Sequence, residues 1–593
     1  MTSTTFIIKS IFKSLNNQNV LLLIIAFICT FPIIAQEDDD PLGTEVVNIV
    51  KPYTPTISDA FKIKETPVLN DSISEQKKQV EYSIFSVPVA STFTPSKGKA
   101  QTVEKAKKIK LFDNYATLGF GNYTTVLGEL YSNFQLSRTD NVGVFFSHNS
   151  AMGDIDDVKA STDFFDTQLD LSYSSRQRDA SYGLDVGVEH QSYNWYGIND
   201  AFNFQPDAFF DDTDFVQNYF SGYIGGTIDV ENSFFDKATA KLRYLSDSYE
   251  SSEINFTAMP EFAFPVADNK FKIGIDLDYL SGSFYEGLFD SETQNYSQFN
   301  AGILPSIDII TDDLSLSLGA KVYVGMDTEN SETDFYVYPN VLASYSVVDE
   351  LVIAYAGIEG GLTQNTFYDF KEVNPFISPT LNIAPTSKNY DAFLGLKGKL
   401  SSAIAYNVRG SYSNENDKSL FKANSYTPSP LDTEGYKYGN SFNVIYDDIN
   451  TLSFFGELKA EISPNFNIGV NGTFNSYNTD NQQEAWNLPS LQATVFSTFN
   501  ITEALYGGVS LFYVGERKDF DDNLLIDNIV ADSGVVTLDG YVDANVHVGY
   551  RLSERLSIFM KGSNLIGGNY EKWYNYPVQG IQVLGGATYK FDW

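Results

Sequence analysis

Tyr541-Val542-Asp543-Ala544-Asn545-Val546-His547-Val548-Gly549-Tyr550-Arg551 is the stretch that decides the fold. Val542, Ala544, Val546, Val548 and Tyr550 fall on one face of an extended chain. Tyr541, Asp543, Asn545, His547 and Arg551 fall on the other. Successive side chains of a strand point to opposite faces, so this is a strand with an oily side and a wet side. Leu552-Ser553-Glu554 turns the chain, and Leu556, Ile558 and Met560 then alternate with Arg555, Ser557, Phe559 and Lys561. Gly580 to Trp593 alternates once more. An apolar face can meet lipid while a charged face lines water, and strands of about ten residues are what a membrane-spanning barrel uses.

The same pattern runs back to Tyr115. Short polar turns are expected at Thr139–Asn141, Arg176–Asp179, Asn232–Asp236, Val266–Asn269 and Thr311–Asp313. More follow at Val347–Glu350, Leu400–Ala403, Ser463–Asn465, Ile501–Glu503 and Leu552–Glu554. Longer connections lie between them: Ala151–Asp166, Tyr196–Val216, Thr366–Asn389, Asn416–Lys437 and Asp519–Leu538. Short turns on one side and long loops on the other are the asymmetry of outer-membrane barrels. The expected architecture is all-β: a transmembrane antiparallel up-and-down β-barrel of about 22 strands over 114–593. Ser441–Tyr446 reads as an extra strand within a loop.

Composition agrees. Aromatics make up 15% of residues, with 46 Phe, 38 Tyr and 42 Gly, enough for aromatic girdles and turns. A mean hydropathy of −0.19 excludes a helical membrane protein as the bulk of the chain. The long apolar run near the start, Val20–Phe31, follows Lys9 and Lys13 and precedes Ile33-Ile34-Ala35. That is the layout of a signal peptide, residues 1–35, and it holds the chain's one cysteine, Cys29. Export of a barrel points to the outer membrane of a Gram-negative cell, with its lipid as the first partner.

Residues 36–113 have a different character. They are punctuated by Pro52, Pro55, Pro67, Pro88 and Pro95 and end in the basic tail Lys105–Lys110. The segment reads as an extended periplasmic or lumen-lying stretch, since proline disfavours helix. Nearly all of the formal net charge of −37 therefore falls on the barrel region, much of it in loops such as Asp154–Asp157 and Asp211-Asp212. Such loops are either solvated or open to Ca²⁺, and none has EF-hand spacing. So negative a chain is not a nucleic-acid binder.

The closing residues carry a family resemblance. Asn564-Leu565, Tyr570, Pro577, Gly580, Phe591 and Trp593 stand in the order of the last strands of TonB-dependent outer-membrane receptors, which this end resembles. Ile566 stands where that family usually has Phe, two residues separate Pro577 from Gly580, and Trp593 replaces a terminal Phe. The resemblance implies solute passage or uptake, and a contact with TonB or another periplasmic or outer-membrane protein. Glu45-Val46-Val47 is similar to the start of a TonB box, and equally to an ordinary linker strand. The family's plug domain has no counterpart in 36–113. A second function stays open: a non-transporting subunit of an outer-membrane assembly or surface-export complex, docking partners through 36–113.

Alternation puts Lys237, Lys241, Arg243, Asp276, Asp278, Asp543, His547 and Arg551 on the water-lining face, as a solvated wall or a selective surface. No cofactor is implied. His148, His190 and His547 are the chain's three histidines, too few for a metal cluster. His148-Asn149-Ser150 has the spacing of a base and nucleophile on one strand face, but His190-Gln191-Ser192 repeats it. The chain is read as no enzyme.

Overall fold

The structure is a computed structural model and describes residues 111–198, 207–231, 233–266, 269–425, 434–521 and 534–593. The signal peptide, Glu45-Val46-Val47 and the tail Lys105–Lys110 lie outside the described residues.

The chain begins with β1 (Asn114–Gly121), β2 (Val126–Gln135), β3 (Asp140–Ala151), β4 (Phe164–Arg176) and β5 (Ala180–Asn194). After the short helix α1 (Asp207–Asp212) come β6 (Val216–Val230), β7 (Phe235–Asp247), β8 (Ser252–Val266), β9 (Asn269–Phe284) and β10 (Gln294–Ile310). β11 (Leu314–Asp327), β12 (Glu332–Val348) and β13 (Val352–Thr363) lead to α2 (Phe367–Val373). Then follow β14 (Thr386–Ser401), β15 (Ile404–Ala423), β16 (Phe442–Ser463), β17 (Phe466–Thr479), β18 (Leu491–Asn500) and β19 (Leu505–Val514). A small hairpin, β20 (Arg517–Phe520) and β21 (Val535–Leu538), precedes β22 (Tyr541–Arg551) and β23 (Leu556–Ser563). A second, β24 (Glu571–Trp573) and β25 (Tyr576–Pro577), precedes the last strand, β26 (Gln582–Phe591).

Twenty-two of these strands form one sheet, and the two small hairpins stand apart from it. Each barrel strand pairs antiparallel with its barrel neighbour in chain order, and β1 pairs with both β2 and β26, which closes the sheet. The seam is exact in register: Thr117 faces Thr588, and their hydroxyls lie 2.9 Å apart. Closure satisfies every ladder hydrogen bond within the wall, the condition for crossing lipid with strands.

The wall is two-faced as the alternation requires. Leu169 and Leu171 on β4, and Leu184, Val186 and Val188 on β5, are exposed with no protein core over them. They form the band that lipid covers. Nine of the ten predicted short turns overlap the described connections at one end, and the tenth, Val266–Asn269, falls on 267–268, outside the described residues. One expectation is corrected. Ser441–Tyr446 is no separate strand, and the predicted loop Asn416–Lys437 begins at Asn424 instead, because β15 runs on to Ala423. Phe442–Tyr446 is the head of β16, which pairs with that extension, Ser419 facing Tyr446 and Ala423 facing Phe442. These strands are 20 and 22 residues long. A tilted strand spans a bilayer with about 9–11 residues, so the surplus projects beyond the membrane and carries the loops.

Candidate functional site

The loops at the projecting end do not stand apart in solvent. The β13–β14 connection, residues 364–385, is apolar for a loop: Phe367, Phe370, Phe376, Ile377, Leu381 and Ile383. It folds into a strap. Thr366 caps α2 by accepting from the Asp369 N–H, and Phe367 and Phe370 are buried. The strap rises from β13 and β14 yet binds β5 through β10, several strands round the wall. It therefore crosses the mouth of the barrel on the inner side.

Its contacts are specific. The Glu253 carboxylate at the outer end of β8 accepts from the N–H groups of Phe367 (2.7 Å) and Tyr368 (3.1 Å) and from the Tyr296 hydroxyl (2.9 Å). A carboxylate suits these donors because the first N–H groups of a helical turn have no partner within it. Lys371 Nζ, almost fully buried, donates to Gln191 Oε1 at 2.6 Å and meets Glu189 at 3.3 Å on β5. Arg243 lies 3.9 Å over the Tyr368 ring and 3.5 Å from Asp369. The Tyr219 hydroxyl reaches Pro375 O (3.2 Å), and Gln298 donates to Ile383 O (2.9 Å).

On its other side the strap meets the remaining loops. Ser378 N donates to Phe442 O at 2.9 Å, and Phe442 N to Phe376 O at 3.1 Å. The ring of Phe376 stacks on Tyr576 of β25 at 3.8 Å, and Trp573 of β24 packs on Phe421 and Phe442. Phe284, Phe367, Ile377, Phe442, Trp573 and Tyr576 thus share one buried core at the mouth. The residues before β16 add a clamp: Asn440 donates to Trp195 O at 2.6 Å, and Lys437 meets Glu286 at 2.8 Å. Arg517 on β20 binds the carbonyls of Glu571 and Lys572. Asp519 on β20 is fully buried and accepts from Ala423 N (2.9 Å) and Asn487 (2.7 Å). Burial pushes its carboxyl from 3.8 up to about 6, against the backbone and Asn487 donors and Lys422.

The eight residues assigned from alternation fall into separate places. Lys241 lies 4.1 Å over the Tyr223 ring, two residues along β7 from Arg243. Asp276 accepts from the Tyr323 hydroxyl at 2.8 Å and Asp278 from Asn255 at 2.7 Å. These four sit in one electrostatic neighbourhood with Asp369 of the strap. Lys237 is apart from them, paired with Glu261 at 3.6 Å toward the turn end. Asp543 accepts from Tyr570 at 3.3 Å. His547 shares a row with Gly508 and Lys561. Arg551 binds Glu503 O at 2.7 Å at the turn end.

The C-terminal motif residues have structural work. Asn564 takes a left-handed backbone (φ 49°), which Asn tolerates, and its amide clamps Gly568 O and Gln579 O. Leu565 N bonds Ala544 O, and Tyr570 stacks on Tyr541 at 3.8 Å. Pro577 O accepts from Tyr196, and a Cβ on Gly580 would press the Tyr123 hydroxyl at 2.9 Å. Phe591 O accepts from Asn114, and Trp593 donates to Ser132 and stacks on Phe134. His148 and Ser150 do meet, at 3.1 Å, but Ser150 is 2% exposed and the histidine's other nitrogen faces the neutral Thr167. His190 instead stacks on Phe220.

The closed 22-strand barrel is similar in fold to the barrels of TonB-dependent outer-membrane receptors. Among solved structures, the FrpB iron transporter from Neisseria meningitidis is similar with a TM-score of 0.63 at 11% identity, over 81% of this chain and 82% of that one. The copper transporter OprC is similar with a TM-score of 0.58 at 13% identity, over 82% of both chains. A variant of the ferric enterobactin receptor PfeA from Pseudomonas aeruginosa gives 0.59 at 12% identity, over 82% of this chain and 81% of that one. No family model matches the sequence, and no curated protein does. At these identities the likeness is one of fold, and the folds it joins are those of transporters and receptors rather than enzymes.

Proposed function

We propose that the barrel passes or takes up a solute across the outer membrane, with the inner face as its path. The observation that carries this reading is the strapped mouth. At the outer end of a 22-strand barrel, one loop is clipped by its side chains onto the far wall. The fold likeness to iron, copper and ferric-enterobactin carriers supports the same reading. Lys241, Arg243, Asp276 and Asp278 then bias which solutes pass, and Glu45-Val46-Val47 is the contact with TonB. The test is conductance in planar bilayers, with and without residues 36–113. A current that rises on their removal supports passage. A current that stays near zero even when strap residues 367–383 are also replaced counts against it.

The strapped mouth also fits the second reading, a non-conducting subunit of an outer-membrane complex. Its test is a gentle-detergent pull-down from native membranes. A stoichiometric partner lost on removing 36–113 favours that role, and recovery of the barrel alone removes it.

A further inference from the structure

The strap has the features of a moving part. Both of its feet stand on interruptions of the ladder. The β13–β14 register shifts between Glu359 and Gly361, and the β14–β15 register between Lys388 and Tyr390. A bulge locally disrupts pairing and re-aims the strand, so a segment rooted there can swing without unzipping the wall. Gly360 is required at the first foot, because a Cβ there would meet Lys388 O and Asn389 O, each at 2.7 Å. Beyond the feet, the described strap has one isolated bridge, Ile377 with Phe442, and no strand ladder. What holds it to β5 and β8 is charged: Lys371 with Glu189 and Gln191, and Glu253 with the first turn of α2.

We infer that residues 364–385 are the gate of the outer mouth and that Glu253, Glu189 and Lys371 form its latch. The inference rests on the reading that the lumen passes a solute. It assigns closure of the outer end to the chain's own loop rather than to the segment preceding β1. Buried charges make a two-state latch: seated, Lys371 meets Glu189 and Gln191 of the wall besides Glu372 of the strap, and Glu253 accepts from Phe367 and Tyr368 of the strap besides Tyr296 of the wall; once released, Lys371 gains water and Glu253 faces the vestibule. Partial withdrawal would break the strap-to-wall contacts of these buried groups before water could replace them, so intermediate positions are disfavoured.

The experiment uses the full mature protein in planar bilayers, beside Lys371→Met, Glu253→Gln and a chain whose residues 367–383 are replaced by a short Gly/Ser linker. Heat-modifiable migration in SDS gels reports that each barrel is closed. The parent should be mostly shut, and each latch variant should raise open probability on the order of tenfold. The linker chain should stay open. If the linker chain fails to close its barrel, the two point variants decide alone. Latch variants or a closed linker chain conducting no more than the parent overturn the gate. So does a parent already as conductive as the linker chain. A chain lacking residues 36–110 separates the two levels. Should it open while the strap variants do not, passage stands and the strap is not the gate. Should strap loss and 36–110 loss together still give no current, passage itself falls.

Discussion

At the scale of a residue, Asp519 shows how the loop layer couples to pH. Its carboxyl sits in full burial outside the membrane wall, with a pKa of about 6 against 3.8 for a free one. The folded state therefore holds the proton more tightly than the unfolded state. Docking of the β20–β21 hairpin is strongest below about pH 4, weakens as pH rises through about 6, and is level above that. The difference between the two limits is on the order of 3 kcal/mol for a shift of this size. Hydrogen exchange at Arg517–Phe520, corrected for intrinsic rate, should show more protection at pH 5 than at pH 7.5. Asp519→Asn should remove the difference. Equal protection at both pH values in the parent would refute the linkage.

At the scale of an element, the seam between β26 and its neighbours leaves no room for added volume at Gly586. Gly586 on β26 faces Gly119 of β1 and Phe559 of β23. A Cβ there would approach Leu118 O to 2.3 Å and the Phe559 ring to 2.5 Å. Gly586→Ala should cost about 1–3 kcal/mol, as overpacking does, and lower the urea concentration at which the compact gel band is lost. An unchanged midpoint would mean the seam yields freely. The seam was legible in advance because Gly580–Trp593 alternates cleanly and its outward side is apolar. Period two reports which face a residue occupies, and a barrel wall is little else. The strap was not legible for the same reason. Thr366–Asn389 has neither strand nor extended helical periodicity, and its partners Glu189, Tyr219, Arg243 and Glu253 lie more than a hundred residues away in sequence. One signal was present. Phe367, Phe370, Phe376, Ile377, Leu381 and Ile383 are too apolar for a solvated loop, and such a loop must bury itself against something. The extension of β15 was missed because Asn414, Glu415, Asn416 and Asp417 look like turn residues. In the structure they sit at an irregularity within the hairpin, where the register shifts between Glu415 and Lys418 before pairing resumes.

At the scale of the whole molecule, closure and passage are separable. β1 has both edges filled, by β2 on one side and β26 on the other, and the remaining strands follow without a gap. A closed barrel offers no edge for a further strand to complete. The mouth core is likewise built from residues after 190, with Tyr219, Phe284, Phe367, Phe442 and Trp573 supplying its rings. The ladder pairs of the wall and the rings of this core all lie among the described residues, after Leu111. A mature chain lacking residues 36–110 should fold to the same heat-modifiable band and lose it at the same urea midpoint, whatever happens to its conductance. A truncated chain that no longer closes, or that unfolds at clearly lower urea, would make the segment a structural filler of the lumen, and the barrel's stability would then depend on chain that lies before its first strand.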